Sequence, residues 1–326
     1  MYIVTGGAGL IGSSFIWRLN QAGINDIVVV DHLGLSEKWK NLRALKFADY
    51  FEKDDFLNKI NDGFFNNFDI EGIIHLGACS ATTERDATYL VENNFNYSKT
   101  LCLFALKSNI RFLYASSCAT YGDGNHGYLD DETQIEKLRP LNMYGYSKQM
   151  FDLWLKNKNI LKDVIGLKFS NIYGPNEHHK AEMRSVVCRA FEQISTQRNM
   201  QLFKSYNQEY ADGEQMRDFL YAKDAVEMMF FLLNCPQASG IYNIGSGRAE
   251  TWNALACAAF EAFELEPEIR YIEMPDHLRG RYQYYTKAEI GKLQALGYDR
   301  EITSLREAVI EYIRNYRLQD KLFGDE

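Results

Sequence analysis

The chain has no apolar run approaching the ~20 residues needed to span a bilayer, so no membrane helix is expected. It also has no excess of positive charge. With 36 Lys and Arg against 44 Asp and Glu, the formal net charge is −8. Nucleic acid therefore has no general electrostatic attraction to it, and any anionic ligand must be held by local cations. The six cysteines (Cys79, Cys102, Cys118, Cys188, Cys235 and Cys257) contain no C-x-x-C pair and no even disulfide-like spacing, which suits a reducing cytosol. No Cys/His cluster has zinc spacing, and the adjacent His178 and His179 diverge, so no metal site is expected. Low-complexity segments and internal repeats are absent. The first strand starts at once, with no leader-like segment before it, so no signal peptide is expected and the cytoplasm is the expected location. What is left is ordinary globular composition, 46% hydrophobic and 25% charged over 326 residues, enough for one large domain or two smaller ones.

The most informative residues present are Gly6-Gly7-Ala8-Gly9-Leu10-Ile11-Gly12. They lie between a short apolar run, Tyr2–Thr5, and an amphipathic stretch from Ser13 to Leu19. Gly6, Gly9 and Gly12 are spaced G-x-x-G-x-x-G. A Cβ there would obstruct the tight turn, the approach of a pyrophosphate and the packing of helix on strand. The freed N–H groups and the helix N-terminus then face the phosphates. A second apolar strand, Asp26 to Val30, ends in Asp31, about 20 residues on, where a carboxylate can bind an adenosine ribose. Together these predict a bound dinucleotide.

The first half alternates short apolar runs with helical patterns. Tyr2–Thr5, Ile27–Val30, Gly72–Leu76, Arg111–Ala115 and Val164–Phe169 read as strands, with helices near 13–22, 87–107 and 144–158. That alternation predicts an α/β fold, a Rossmann-like doubly wound parallel sheet covered by helices on both faces. From Asn171 the texture changes. Gly174-Pro175 marks a loop, Gln197 to Gln215 reads as irregular, and Arg217–Tyr221 resumes a strand. Asp224 to Asn234 reads as a helix capped by Asp224, Gly240–Ile244 as a strand, and the tail after Trp252 as mostly helical. We expect a dinucleotide-binding domain over 1–170 plus about 216–246. A smaller α/β substrate domain is expected over about 171–215 plus 247–326, with the active cleft between them.

The second strong feature is Tyr144-Gly145-Tyr146-Ser147-Lys148. On a helix Tyr144 and Lys148 share one face. A phenol with pKa ~10 is a poor base at neutral pH, but a nearby ammonium stabilises the phenolate. Upstream, Tyr114-Ala115-Ser116-Ser117 places a hydroxyl at the carboxyl end of a strand, where doubly wound sheets bind ligands. Tyr and Lys at this spacing could alone be a surface pair; with the glycine turn and the strand-end serine they read as chemistry.

On these residues the chain resembles the extended short-chain dehydrogenase/reductase superfamily nearly end to end: Thr5–Gly9, His75-Leu76-Gly77-Ala78, Ser116-Ser117, Tyr144 and Lys148, Asn171-Ile172-Tyr173-Gly174-Pro175, Arg217-Asp218-Phe219 and Asn243-Ile244-Gly245. More specific stretches, His75 to Glu84, Gly174 to Lys180 and Arg279-Gly280-Arg281-Tyr282-Gln283, resemble the ADP-L-glycero-D-manno-heptose 6-epimerase family of lipopolysaccharide biosynthesis. The resemblance implies epimerisation at C6 of an ADP-heptose with no net redox change, by a homo-oligomer, with pentamers known in the family. It puts Ser117, Tyr144 and Lys148 on the family's catalytic serine, tyrosine and lysine, and Lys180 on a second acid/base lysine. Taken alone, Lys180 would read as a loop cation or a phosphate contact. By the same resemblance the cofactor positions are Gly6, Gly9, Leu10, Ile11, Gly12, Asp31, His32, Lys38, Lys53, Leu76, Gly77, Ala78, Cys79, Ser80, Asn93, Lys148, Ile172 and Lys180. The substrate positions are Asn171, Glu182, Arg189, Phe203, Lys204, Ser205, Tyr206, Arg217 and Tyr282. Arg189 and Arg217 suit a diphosphate, because a guanidinium grips two oxygens at once.

Cofactor preference is pulled two ways. Asp31 argues for NAD, since a carboxylate repels a 2′-phosphate, whereas Lys38 and Lys53 match lysines that contact NADP in the family; NADP is the expected cofactor. The chain departs from the family at Asp31-His32, where Asp-Asn is usual, and at Glu182 and Arg189, where serine and histidine are usual. A sugar-nucleotide dehydratase would carry an acidic pair after the strand-end hydroxyl, and Cys118-Ala119 stand there instead. A UDP-hexose 4-epimerase would use the same serine, tyrosine and lysine without Lys180. A non-catalytic dinucleotide sensor would have no reason to keep all three together. Cys79 and Cys118 read as packing residues.

Overall fold

The short β-branched runs build a seven-stranded parallel sheet. In chain order its first strands and their neighbours are β1 (Tyr2–Thr5), α1 (Leu10–Gln21), β2 (Ile27–Asp31), β3 (Asp49–Glu52), α2 (Lys53–Asn61) and β4 (Gly72–His75). Then come α3 (Ala87–Leu90), α4 (Tyr97–Lys107), β5 (Arg111–Ser117), α5 (Met143–Asn157) and β6 (Ile165–Phe169). The rest comprises β7 (Asn171–Tyr173), α6 (Val186–Gln197), β8 (Met200–Phe203), β9 (Met216–Arg217), β10 (Phe219–Tyr221), α7 (Ala222–Asn234) and β11 (Gly240–Ile244). It ends with β12 (Glu250–Thr251), α8 (Trp252–Ala262), β13 (Ile269–Ile272), α9 (Asp276–Arg279), α10 (Gly291–Ala295) and α11 (Leu305–Glu311). This computed structural model describes residues 1–279 and 282–325, without the side chains of Glu182 and His277. Gly280 and Arg281 of the sequence motif, and the Glu182 side chain, thus lie outside the described residues.

The sheet order is β11-β6-β5-β4-β1-β2-β3. The chain winds outward from β1 in one direction and from β4 in the other. Their pairing, Thr5 opposite His75, opens a crevice at their carboxyl ends, the switch point at which such sheets hold ligands. Strands buried on both faces need apolar cover on each. Phe15, Ile16, Leu19, Val226, Met229 and Leu233 of α1 and α7 pack on one face, and Leu101, Phe104, Phe151 and Leu155 of α4 and α5 on the other. A third cluster gathers Val187, Ile194, Met200, Leu255, Phe260, Leu305, Val309 and Tyr312 from α6, β8, α8, α11 and the helical turn that follows it. Among the described residues no helix is long and apolar enough to cross a membrane.

Several sequence expectations need correction. Strand β3 was not foreseen. The segment 197–215 is not wholly irregular: it contains β8, which pairs with β13 from Met200↔Ile269 to Phe203↔Ile272. The strand over Arg217–Tyr221 is two, β9 and β10, interrupted at Asp218. Both Asp218 carboxylate oxygens are turned inward to accept N–H groups of Ser246, Gly247 and Ala288. Asp224 does not cap α7, which begins at Ala222 with Tyr221 as its N-cap; its carboxylate instead accepts the Thr303 hydroxyl at 3.1 Å. The helix expected over 87–107 contains a π-helical stretch at Val91–Asn96.

Candidate active site

The glycine turn is closed by sterics. Gly6 has φ +67°, and a methyl there would sit 2.6 Å from the Gly77 nitrogen. A methyl at Gly12 would sit 2.1 Å from the Gly6 carbonyl oxygen. Any larger residue at either position would push the turn from β4 or the helix from the turn. Helix α1 has Gly9 at its N-cap, no side-chain cap and no acidic residue in its first turn, so its N–H groups remain available to an anion. The residues present therefore fit a dinucleotide pyrophosphate.

Beside this turn lies a cleft lined by Gly6, Asp31, His32, Lys38, Lys53, Gly77, Ala78, Cys79 and Asn93 among others. Asp31 is not free in it. One carboxylate oxygen accepts Ala8 N–H at 2.8 Å. The other accepts His32 N–H at 2.7 Å and pairs with Lys38 Nζ at 2.6 Å. Lys53 donates to Asn93 Oδ1 at 2.8 Å. The Leu10 side chain turns away to pack on Ala222 and Phe323, with Ile11 and Ile172 against the same cluster. Ser80 is exposed at the end of the Leu76–Ser80 loop. That loop is pinned by Asn94, which sequence reasoning missed: its amide exchanges hydrogen bonds with Cys79 (2.8 and 2.9 Å) and donates to Ser147 of α5 at 3.0 Å. The π-helical stretch that contains Asn93 and Asn94 directs the first to Lys53 and the second to the loop.

Under the same loop, buried His75 lies in a directional chain. Ser98 donates to the Asn94 carbonyl at 2.6 Å, so its oxygen accepts from His75 Nε2 at 2.8 Å. Nδ1 then accepts from Thr5 Oγ1 at 2.6 Å. Burial, with Lys148's charge nearby, pulls the His75 pKa down to about 3, leaving a neutral imidazole.

A second cleft, of about 770 Å³, is lined by Ser117, Cys118, Asn142, Tyr144, Asn171, Arg217 and Tyr282 among others. Strand β5 delivers Ser117 at its last residue. Helix α5, whose N-cap Asn142 accepts Gly145 N–H at 2.8 Å, brings Tyr144 to the cleft and carries Lys148, buried one turn further on and not itself lining it. Burial pushes the Tyr144 phenol up, and interaction with the Ser117 hydroxyl pulls it back. Burial pulls Lys148 down to about 8, opposed by Asp152 and Cys79. Lys180 lies in the turn His178–Met183 and is half-buried; burial lowers its proton affinity, and the carboxylate of Glu177 opposes that.

Buried Arg217 has no carboxylate partner among the described residues. Its guanidinium lies 5.0 Å from the Tyr282 ring centroid and 5.7 Å from that of Trp252, and Trp252 Nε1 donates to the Tyr282 hydroxyl at 2.9 Å. An aromatic-backed arginine in a cleft is built for an anion. Arg189, exposed on α6, and Phe203, Lys204, Ser205 and Tyr206 are not among the described residues that line this cleft. Lys204 pairs with Glu273 at 2.7 Å, and the Tyr206 hydroxyl donates to the same carboxylate.

Residues 2–245 match the model of the NAD dependent epimerase/dehydratase family. A curated ADP-L-glycero-D-manno-heptose-6-epimerase of Nitratidesulfovibrio vulgaris is 52% identical over 316 residues, covering 97% of this chain and 98% of its own. The chain belongs to the NAD dependent epimerase/dehydratase family and, within it, to the ADP-L-glycero-D-manno-heptose-6-epimerases. A second member, from Fusobacterium nucleatum, is 48% identical, again over 97% of this chain and 98% of its own. Among solved structures, the Helicobacter pylori ADP-L-glycero-D-manno-heptose-6-epimerase shares the fold with a TM-score of 0.79 at 24% identity, covering 96% of this chain and 95% of its own. The Thermus thermophilus UDP-glucose 4-epimerase does so with a TM-score of 0.76 at 24% identity, covering 97% and 98%. The family match over residues 2–245 spans all seven strands of the sheet, and within it Ser117 and Tyr144 line one cleft of this chain.

Proposed function

We propose that this chain interconverts ADP-D-glycero-β-D-manno-heptose and ADP-L-glycero-β-D-manno-heptose by transient oxidation at C6 with bound NADP, in the supply of heptose for lipopolysaccharide inner core. The observation that carries this reading is the single cleft in which Ser117 and Tyr144 meet Arg217 and Tyr282, in a chain 52% identical to a named heptose epimerase. In the same reading the Rossmann part holds the dinucleotide, the remainder holds the sugar nucleotide, and the protein acts in the cytoplasm as a homo-oligomer.

The dinucleotide, when bound, supplies hydride acceptance and return. The protein supplies orientation and proton transfer. Tyr144, as the phenolate that the Lys148 ammonium stabilises, takes the C6 hydroxyl proton and becomes the neutral phenol. Ser117 donates a hydrogen bond to the reacting oxygen. After the ketone turns over, that oxygen is presented in a second orientation, for which Lys180 serves in this reading as the second acid/base, although it is not among the described residues that line the cleft. One fixed group could not serve both orientations at hydrogen-bond distance. Arg217 grips the diphosphate, which keeps the ADP anchored while the sugar rotates.

NADP rather than NAD is supported by the state of Asp31. Both of its oxygens are already occupied, one of them by Lys38. A carboxylate so engaged is a weak acceptor for a ribose diol, while Lys38 and Lys53, both lining the same cleft, would supply the positive charge that a 2′-phosphate needs.

The test is incubation of the purified protein with ADP-D-glycero-β-D-manno-heptose, following C6 configuration by proton NMR. Approach to a mixture of epimers, lost in Tyr144→Phe and in Lys180→Ala, is expected. No conversion with either NADP or NAD added would overturn the heptose assignment and turn attention to UDP-hexoses.

A further inference from the structure

Two turns that carry lysines flank the glycine turn. One is Glu37–Leu42, with Lys38; the other is His178–Met183, with Lys180. They are fastened to each other and to the glycine turn by two buried asparagines. The Asn41 amide nitrogen lies 2.8 Å from the Ala8 carbonyl, 2.9 Å from the Asn176 carbonyl and 3.2 Å from His179 Nδ1. Asn176, fully buried with φ +74°, donates to the Ser13 hydroxyl of α1 at 2.9 Å.

Its remaining oxygen accepts Phe323 N–H at 3.0 Å. Phe323 is itself buried, stacked on Trp17 of α1 at 4.7 Å and edge-on to Tyr316. Two residues further on, Asp325 pairs with Arg43 at 2.7 Å, directly after the Lys38 turn, and accepts Leu322 N–H at 2.9 Å. The short segment 322–325 therefore holds one lysine-bearing turn through Asn176 and the other through Arg43.

We propose that Leu322–Asp325 is a strap that retains the dinucleotide, by locking the Lys38 and Lys180 turns onto the glycine turn. This rests on the reading of that crevice as a dinucleotide site. A redox-neutral epimerase ends each turnover with the cofactor in its starting oxidation state, so release serves no purpose. Release between the two hydride transfers would strand a ketone. A fastening that slows release without touching the reacting atoms answers that need. Asn41, Asn176 and Phe323 are positioning residues in this role.

The experiment loads the whole protein with NADPH, adds excess NADP, and follows the loss of bound-NADPH fluorescence well below the melting temperature. Asn176→Gly (glycine keeps the positive φ and removes the amide) should speed release by about tenfold, the scale of one or two lost hydrogen bonds. Phe323→Ala keeps its backbone N–H but loses the ring packing on Trp17 and Tyr316 that seats the segment, and should speed it at least as much. Arg43→Ala, an exposed change with little bearing on folding, should speed it less. With NADP saturating in the medium, kcat should return to near the wild-type value, since the strap does not touch the reacting atoms. Unchanged release in all three variants, even with a lowered Tm, would reduce the segment to packing and overturn the proposal. A wild-type protein that holds neither NADPH nor NADH would overturn the dinucleotide reading itself, and the strap with it.

Discussion

Asp152 and Lys168 face each other at 3.1 Å where neither side chain reaches solvent. Asp152 also accepts the hydroxyls of Tyr114 (2.9 Å) and Ser116 (2.8 Å). Lys168 donates to Thr120 (2.5 Å), whose hydroxyl donates to the Ser117 carbonyl (2.7 Å). Asp152 stands one helical turn beyond Lys148, so a single buried carboxylate ties the helix of Tyr144 and Lys148 to the strand end of Ser117.

Asp152→Asn would leave Lys168 charged and uncompensated in the core. Breaking a buried pair from one side costs about 3–5 kcal/mol, so denaturant unfolding should show a loss of that order. The variant also removes a negative charge that helps Lys148, at about 8, keep its proton. The alkaline limb of kcat/KM should therefore move to lower pH. A limb that stays in place would separate Asp152 from Lys148.

Arg217→Lys keeps the charge and loses the two-pronged, aromatic-backed grip. One lost charge-assisted contact corresponds to roughly 10–100-fold in affinity. KM for ADP-heptose should rise on that scale with a smaller change in kcat, because the diphosphate does not react. Steady-state kinetics decide it.

Lys38→Ala removes a cation from the cleft beside the glycine turn and leaves that Asp31 oxygen with only the His32 N–H. Affinity should fall about 10-fold or more for NADP and change little, or rise, for NAD. Titration of cofactor-stripped protein with both reads the preference directly.

His75 makes stability pH-dependent in a defined direction. It stays neutral in the folded state down to about pH 3, whereas an unfolded histidine takes up a proton below about 6.5. Between those values the unfolded state holds the extra proton. His75 thus stabilises fully above pH 6.5 and loses up to about 1.4 kcal/mol per pH unit as acid is added. Asp224, raised by burial to about 6, acts in the opposite sense, and His179, lowered by burial to about 4, in the same sense. Subtracting the unfolding free energy of His75→Gln cancels both. The wild-type advantage at pH 7 should shrink steadily towards pH 4.

How far the sequence could be read depended on how local each cause was. The turn at Gly6 and Gly12 is a steric event within a few residues, and six of the seven strands of the sheet show as short, mostly apolar runs. Strand β3, Asp49-Tyr50-Phe51-Glu52, has charged ends and lies half-exposed at the sheet edge, so it carries no such signal. Strand β8 exists only because β13 pairs with it, 69 residues away by register. Asp224 has the residue type of a cap, but the helix starts early where β10 hands over to it. In the site, Ser117, Tyr144 and Lys148 could be placed by strand end and helix spacing. The aromatic backing of Arg217, the Asn94 clip on Cys79, and the Asn41–Asn176 fastening join residues far apart in sequence. Asparagine and tryptophan show no periodicity that would announce them.

Asn176 meets Ser13 across 163 residues and Phe323 across 147. Closing loops of that length is slow, and contacts that depend on it form late. A nascent chain can therefore pair β1, β2, β4 and β5 long before residue 323 is made, and during that interval Asn41 and Asn176 hold its two lysine turns without the Leu322–Asp325 strap. In the strap reading, tight retention of the dinucleotide waits on the Leu322–Asp325 segment, a check that only a chain threaded through these contacts can pass.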